Sequence, residues 1–242
     1  MNNPDQKKLI EAQIKAYEAC IGTESMTMPV RDSVLQLEIE PFVANPQIMN
    51  SGRELVTYMA SRPELVADKI VVDMGTGCGI IGIAAALLGA RRVYMSDIDR
   101  KSVENARSNC ALNNVTAKCD VFQSDLFQKY GKLEPADLQI FNYPFYCGDP
   151  VKGKEWTRMM LGSTELIDRY FKDAPLYSKK EAVYLVPWLT VAESLDEVPD
   201  NRPLVRSGKF GYSLARETKW KPDAYGLQRS AFIMYELQRK PR

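Results

Sequence analysis

Residues 71–79 read Val-Val-Asp-Met-Gly-Thr-Gly-Cys-Gly, and Ile-Ile-Gly-Ile-Ala-Ala-Ala follows at once. An apolar strand therefore runs into three glycines at alternate positions and out into a helix. Glycine lets the backbone turn sharply and approach a ligand with no Cβ in the way. The helix start then offers unpaired N–H groups and a partial positive charge. A dinucleotide-binding turn has the spacing Gly-x-Gly-x-x-Gly. Here Gly75, Gly77 and Gly79 are spaced Gly-x-Gly-x-Gly, Thr76 sits between the first two, and an acid, Asp73, precedes them. The turn is of nucleotide-binding type, and its spacing departs from the dinucleotide pattern.

Around this turn the chain alternates strand and helix from Lys69 onward. Strands are expected at Ile70–Met74, Arg92–Ser96, Thr116–Phe122, Leu138–Phe141 and Ala182–Val186. Helices are expected from the glycine turn to Leu88, over Lys101–Leu112 with Val103, Ala106 and Cys110 inward, and over Thr164–Phe171. The end differs: Leu204–Gly211 and Ala231–Leu237 both read as strands without a full helix between them. Repeating β-α units imply a parallel sheet covered by helices on both faces. The last pair suggests an antiparallel strand at one edge. Residues 1–62 read as an N-terminal attachment and a possible lid, ahead of a ligand-binding domain over 63–242. Asn3-Pro4 starts a helix there, with Ile10, Ile14, Tyr17 and Ile21 on one face and Gly22 as its stop. Leu35, Leu37 and Ile39 alternate with polar residues as a half-exposed strand. Ser51-Gly-Arg-Glu54 reads as a capping box before Leu55, Val56, Tyr58 and Met59.

Composition narrows the chemistry. The chain of 242 residues has no histidine, which removes histidine triads, histidine shuttles and histidine metal sites. Five scattered cysteines, with no Cys-x-x-Cys pair, suit reduced thiols and no metal. The N-terminal Met-Asn-Asn-Pro-Asp-Gln-Lys-Lys leads into no apolar core of secretory type, and no window is long and apolar enough for a membrane span. A cytoplasmic protein without a membrane partner is expected. A net charge of +1 exerts no overall pull on nucleic acid.

In open α/β sheets ligands lie beyond the carboxyl ends of the strands, and each of the first four strands here ends in a suitable contact. After the glycine turn of the first, the second ends in Ser96-Asp97-Ile98-Asp99. Asp97 lies 22 residues past Gly75, near the spacing of an acid that accepts ribose hydroxyls. Ile98 is placed to pack on a base, and Asp99 to cap the next helix. The third is followed by Ser124-Asp125-Leu126, where Asp125 could accept a hydrogen bond from an exocyclic amine. The fourth ends in Asn142-Tyr143-Pro144-Phe145.

The glycine turn with Asp73 and Asp97 resembles the first motifs of the class I S-adenosylmethionine-dependent methyltransferases. The fourth-strand motif resembles the Asn-Pro-Pro-Tyr/Phe motif of the amino-methyltransferase branch, with Tyr143 replacing a proline. The likeness spans roughly residues 40–190. It implies a doubly wound, Rossmann-like sheet and S-adenosylmethionine as cofactor. Asp73 would lie near the methionyl ammonium, and Gly75, Thr76, Gly77, Gly79, Asp97, Ile98, Ser124, Asp125, Leu126 and Asn142 would bind the cofactor. Asn142, Tyr143, Pro144 and Phe145 would form the catalytic motif, with the asparagine carbonyl holding a target nitrogen and the aromatic stacking on the substrate. The acceptor is then a nitrogen on a protein amide, an RNA base or a small metabolite. No target-recognition domain is visible, so duplex DNA is not expected.

Two further readings stay open. Tyr143, Phe145 and Tyr146 share a loop, and Tyr17 and Tyr177 could reach the same mouth. An aromatic, dry pocket attracts a sulfonium and resembles the environment of the azetidine-2-carboxylate synthases, which cyclise the cofactor's own arm and release methylthioadenosine. The other reading is a binding module without chemistry. The stretch from Arg206 to Arg242, richer in Lys and Arg than in acids and carrying Trp220 and Tyr225, could contact RNA. A charged edge strand explains it as well.

Overall fold

The central strand-forming runs of this sequence, Ile70–Met74 and Ala136–Phe141, are short and largely apolar, as strands covered on both faces are. The computed structural model describes residues 4–190, 202–220 and 231–240. Helix α1 (Pro4–Ala19) precedes a hairpin of β1 (Glu24–Val30) and β2 (Ser33–Ile39), and helix α2 (Ser51–Ser61) leads into the alternating part. There follow β3 (Ile70–Met74), α3 (Ile80–Leu87), β4 (Arg92–Asp97), α4 (Arg100–Leu112), β5 (Cys119–Gln123) and β6 (Ala136–Phe141). A short parallel pair, β7 (Tyr146–Cys147) and β8 (Leu161–Gly162), closes the next loop. The chain continues with α5 (Thr164–Asp173), β9 (Ser178–Leu189), α6 (Pro203–Gly208), β10 (Tyr212–Trp220) and β11 (Phe232–Arg239).

Seven strands form one sheet in the order β10-β11-β9-β6-β3-β4-β5. The pairs β9–β6, β6–β3, β3–β4 and β4–β5 are parallel, whereas β11 runs antiparallel to both its neighbours. The order reverses around β3, so β4 and β6 flank it and their carboxyl ends open a crevice above the glycine turn. All five residues of β3 are buried.

The expected helices and strands of the alternating part are present to within a few residues at each end. Three readings need correction, and the half-exposed N-terminal strand gains a partner the sequence did not reveal. Leu204–Gly211 is not a strand: Pro203 occupies the first turn of α6, where its missing N–H costs nothing, and the strand begins only at Tyr212. The lone N-terminal strand is one arm of a hairpin, paired from Glu24↔Ile39 to Val30↔Ser33. Ile21 lies beyond the end of α1 and is 93% exposed, while Ile10 and Tyr17 are buried. The capping box does not form, because Ser51 is already helical and the cap position falls on Asn50, whose Nδ2 donates to Glu54 Oε1 (2.7 Å). Asn3 and Tyr225 lie outside the described residues.

The N-terminal segment packs directly on this sheet's helices. Gly52 of α2 lies so near α3 that a Cβ there would sit 3.0 Å from Ile80 Cγ2. Hairpin strand β2 lies along α4, and the loop after it reaches the glycine turn, where a Cβ on Gly77 would come 2.9 Å from the Ala44 Cβ. None of the described helices is long and apolar enough to cross a membrane.

Candidate functional site

The strand tips and the N-terminal segment enclose a cleft of ≈830 Å³, a size ordinary for a cofactor or small-ligand site. Its walls include Gly75, Thr76 and Gly77, then Asp97 and Ile98, then Ser124, Asp125 and Leu126, then Asn142, Tyr143, Pro144 and Phe145. Four separate strand ends thus contribute to one cavity. Asp73 and Gly79, grouped with them on the sequence, do not line it.

Asp73 works from beneath the turn. It is 0% exposed, and its Oδ2 accepts from the Thr76 hydroxyl (2.6 Å) and the Gly82 N–H (2.9 Å). The acid therefore ties the glycine turn to the first turn of α3. Burial pushes its carboxyl up to about 6, against those two hydrogen bonds. Gly79 begins α3 with φ +92°, crowded by Ile83, Met95 and Ala106, so it serves close packing. Gly75 and Gly77 also hold positive φ, which a side chain would strain.

Asp97 stands half-buried across the crevice. Its Oδ2 accepts from the Gly77 N–H and its Oδ1 from the Asp99 N–H, both at 2.9 Å. Each oxygen keeps a further lone pair. Asp99 caps α4, accepting from the Ser102 N–H at 2.9 Å, as its sequence position suggests. Beyond β5, buried Ser124 donates to the Leu126 carbonyl (2.7 Å) and shapes a turn in which Leu126 has φ +45°. Asp125 binds Arg169 (2.8 Å) and Gln128 (3.3 Å) through Oδ2 alone, leaving Oδ1 for another donor.

At the tip of β6, Asn142 Nδ2 donates to the Ser51 hydroxyl (3.1 Å). Its Oδ1 is shielded from solvent with no hydrogen-bond partner. An amide oxygen in that state is costly unless a ligand donor completes it. Tyr143 is buried and stacks on Trp188 at 6.4 Å and 9° between planes, with Phe145 edge-on to both. These contacts fix the loop that in the resembling motif a second proline would stiffen.

Tyr17 and Tyr177 do not line the cleft. Tyr177 stacks on Phe127 at 5.0 Å. Tyr17 acts from behind the wall, its hydroxyl accepting the Asn45 N–H (2.7 Å) and its ring lying 5.3 Å from Trp156. Trp156 in turn lies 5.3 Å from Phe42, and both line the cleft. Phe42, Trp156, Gln13 and Ser51 are wall residues that the sequence reading missed. Phe42 is a lone aromatic in a turn, and Trp156 sits in a short 3₁₀ helix over Glu155–Met159. Ser51 imitated a helix cap, and Gln13 sits on a helix with no motif. Among the described residues no three His, Cys, Asp or Glu side chains are grouped to hold a metal, and Cys20, Cys78, Cys110 and Cys119 are free thiols.

The family model for ribosomal protein L11 methyltransferase matches residues 59–142, from the end of α2 to Asn142. The curated L11 methyltransferase of Carboxydothermus hydrogenoformans is 38% identical over 109 residues, which are 44% of this chain and 34% of that protein. That of Anoxybacillus flavithermus is 37% identical over 117 residues, 47% of this chain and 36% of the relative. The chain thus spans about a third of the length of these relatives. Among solved structures, a Thermus thermophilus 16S rRNA N2 methyltransferase in complex with AdoMet and guanosine covers 90% of this chain and 51% of its own, at TM-score 0.61 and 16% identity. A ribosomal protein L11 methylase from Lactobacillus delbrueckii subsp. bulgaricus covers 84% of each chain, at TM-score 0.52 and 18% identity. The fold is that of the class I methyltransferases.

Proposed function

We propose that this chain is an S-adenosylmethionine-dependent methyltransferase acting on a nitrogen of a protein, RNA or small-molecule acceptor. The observation that carries the reading is Asn142: a shielded, unpartnered carbonyl oxygen at the tip of β6, in the cleft that Asp97, Asp125 and the glycine turn also line. The residues present fit the cofactor. The glycine turn would admit a backbone-close ligand, Asp97 would accept hydrogen bonds from the ribose hydroxyls and Asp125 Oδ1 one from the adenine amine, and Ile98 and Leu126 would flank the base.

When bound, S-adenosylmethionine supplies a methyl group on a cationic sulfur, open to in-line displacement by a nitrogen lone pair. The chain's own contribution is position and exclusion of water. Ser51 holds the Asn142 amide so that Oδ1, not Nδ2, faces an incoming N–H. Tyr143 and Phe145, braced on Trp188, wall the approach and offer an aromatic face to a planar or cationic acceptor. No histidine is required for any of these roles. The matched family model and relatives carry methyltransferase names, which favours transfer over cyclisation of the cofactor. The N-terminal segment, fastened to α3 and α4, would act as a fixed wall of the cleft.

The test uses S-adenosylmethionine labelled on its methyl group, with ribosomal protein L11, ribosomal RNA and a no-acceptor control in separate reactions. L11 is the substrate named for the matched relatives. Label is expected in one macromolecule, with S-adenosylhomocysteine as co-product. Asn142→Ala is expected to lower turnover about 100-fold or more, as loss of a positioned polar group does, while S-adenosylhomocysteine still binds. Methylthioadenosine released without an acceptor would replace transfer by cyclisation, and full turnover by Asn142→Ala would refute the role of the β6 tip.

A further inference from the structure

The resemblance gives the methionyl ammonium to Asp73, yet Asp73 is wholly enclosed and absent from the cleft wall. Asp73 Oδ1 is, like Gln13 Oε1, shielded without a hydrogen-bond partner, but only an acceptor on the cleft wall can meet an ammonium resting above the glycine turn. Gln13 of α1 offers one. It lines the cleft although only 7% exposed, and its Oε1 is shielded from solvent without a hydrogen-bond partner. A buried amide oxygen left in that state is a standing cost that a ligand N–H would relieve.

The contacts around Gln13 lead to the turn. One helical turn further on, Tyr17 accepts the Asn45 N–H at 2.7 Å. Ala44, the neighbour of Asn45, packs against Gly77. Helix α1, the loop over 41–46 and the glycine turn therefore make one continuous stretch of wall, and Gln13 belongs to it. A carboxamide is both acceptor and donor, which complements an α-amino acid with its ammonium and carboxylate.

Resting on the S-adenosylmethionine reading, we propose that Gln13 binds the amino-acid end of the cofactor, its Oε1 accepting a hydrogen bond from the ammonium. The N-terminal attachment would then be part of the cofactor site as well as of its surroundings.

Calorimetry with two ligands tests this without any acceptor: S-adenosylhomocysteine, which keeps the amino-acid end, and methylthioadenosine, which lacks it. Gln13→Leu, close in volume, should weaken S-adenosylhomocysteine about tenfold, the effect of one hydrogen bond to a charged group. Methylthioadenosine affinity should stay within about twofold of wild type. Gln13→Glu, which places a carboxylate before the ammonium, should bind S-adenosylhomocysteine at least as well as wild type. The proposal fails if Gln13→Leu leaves S-adenosylhomocysteine unchanged, if it weakens both ligands alike, or if Gln13→Glu loses as much as Gln13→Leu. Wild-type protein that binds neither ligand would overturn the cofactor reading itself, and this inference with it.

Discussion

Asp97 and Asp73 are two carboxylates whose acidity burial weakens to the same degree, to about 6 in each, but whose surroundings give them different work. Asp73 does not line the cleft; its Oδ2 holds the Thr76 hydroxyl and the Gly82 N–H, while its Oδ1 is shielded without a partner. Asp97 faces the cleft with a spare lone pair on each oxygen, and its own N–H contacts from Gly77 and Asp99 partly offset the upward shift. Above pH 6 it is charged and ready to accept hydroxyl donors. A ribose that donates to it favours the charged form and so lowers its pKa in the complex. Below pH 6 the free protein must therefore release a proton on binding, and affinity falls with pH. S-adenosylhomocysteine is expected to bind about tenfold more weakly at pH 5 than at pH 7.5, measured by calorimetry. Asp97→Asn should bind weakly at both and show a flatter profile. A flat wild-type profile would mean that the sugar lies elsewhere.

Asn105 and Asn109 of helix α4 and Asn113 at its C-terminal cap stand four residues apart, and these three side chains take the place of a missing strand. Strand β2 pairs with β1 along one edge only. On its other edge, Asn113 Oδ1 accepts the Gln36 N–H (2.9 Å) and its Nδ2 donates to the Gln36 carbonyl (2.6 Å). Asn109 does the same for Glu38, at 2.9 Å each way, and also donates to the Cys78 carbonyl (2.9 Å) beside the glycine turn. Asn105 donates to the Glu38 carbonyl (2.7 Å) and accepts the Glu40 N–H (3.3 Å). An edge that would otherwise stay open is thus satisfied from a helix. Asn109→Ala leaves buried backbone groups unpaired and should cost about 2–3 kcal/mol in urea unfolding, with faster amide exchange at Glu38. A loss within experimental error would show that solvent replaces the ladder. None of this was legible in the sequence. Asparagines at i, i+4 and i+8 form no local motif, because their partners lie some 70 residues away in the chain. What was legible depended on local pattern: β3 and α3 from an apolar run broken by glycines, the cap at Asp99, and the convergence of residues after four strands on one cleft. Local pattern misled where one residue type serves two ends. Ser51 looked like a cap but holds Asn142, and Leu204–Gly211 looked extended although Pro203 starts a helix.

At the scale of the molecule, the antiparallel strand β11 connects the far edge of the sheet to the N-terminal segment through one buried carboxylate. Glu236 is 5% exposed and receives hydrogen bonds from the Tyr58 hydroxyl and from Arg62 Nη1 (2.7 Å), both on or just after α2, with Arg216 of β10 at 3.7 Å. Helix α2 begins at Ser51, which holds Asn142, and Phe232, four residues earlier on β11, lines the cleft. The same carboxylate therefore joins elements that frame one side of the cavity. A buried charge deprived of its partner costs more than the pair contributes, because the desolvated group has nothing to replace it. Arg62 is partly exposed, so solvent softens that cost. Arg62→Met is expected to lose about 2–3 kcal/mol of stability. Adding Glu236→Gln, which removes the stranded charge, should recover part of that loss, so the two effects are not additive. Chemical denaturation of the two single variants and the double variant reads the coupling directly. Strict additivity would mean that Tyr58 and Arg216 already neutralise Glu236 and that α2 is held by apolar packing on α3. Recovery in the double variant would identify the carboxylate cluster as the fastening between the C-terminal strands and the segment that walls the cleft.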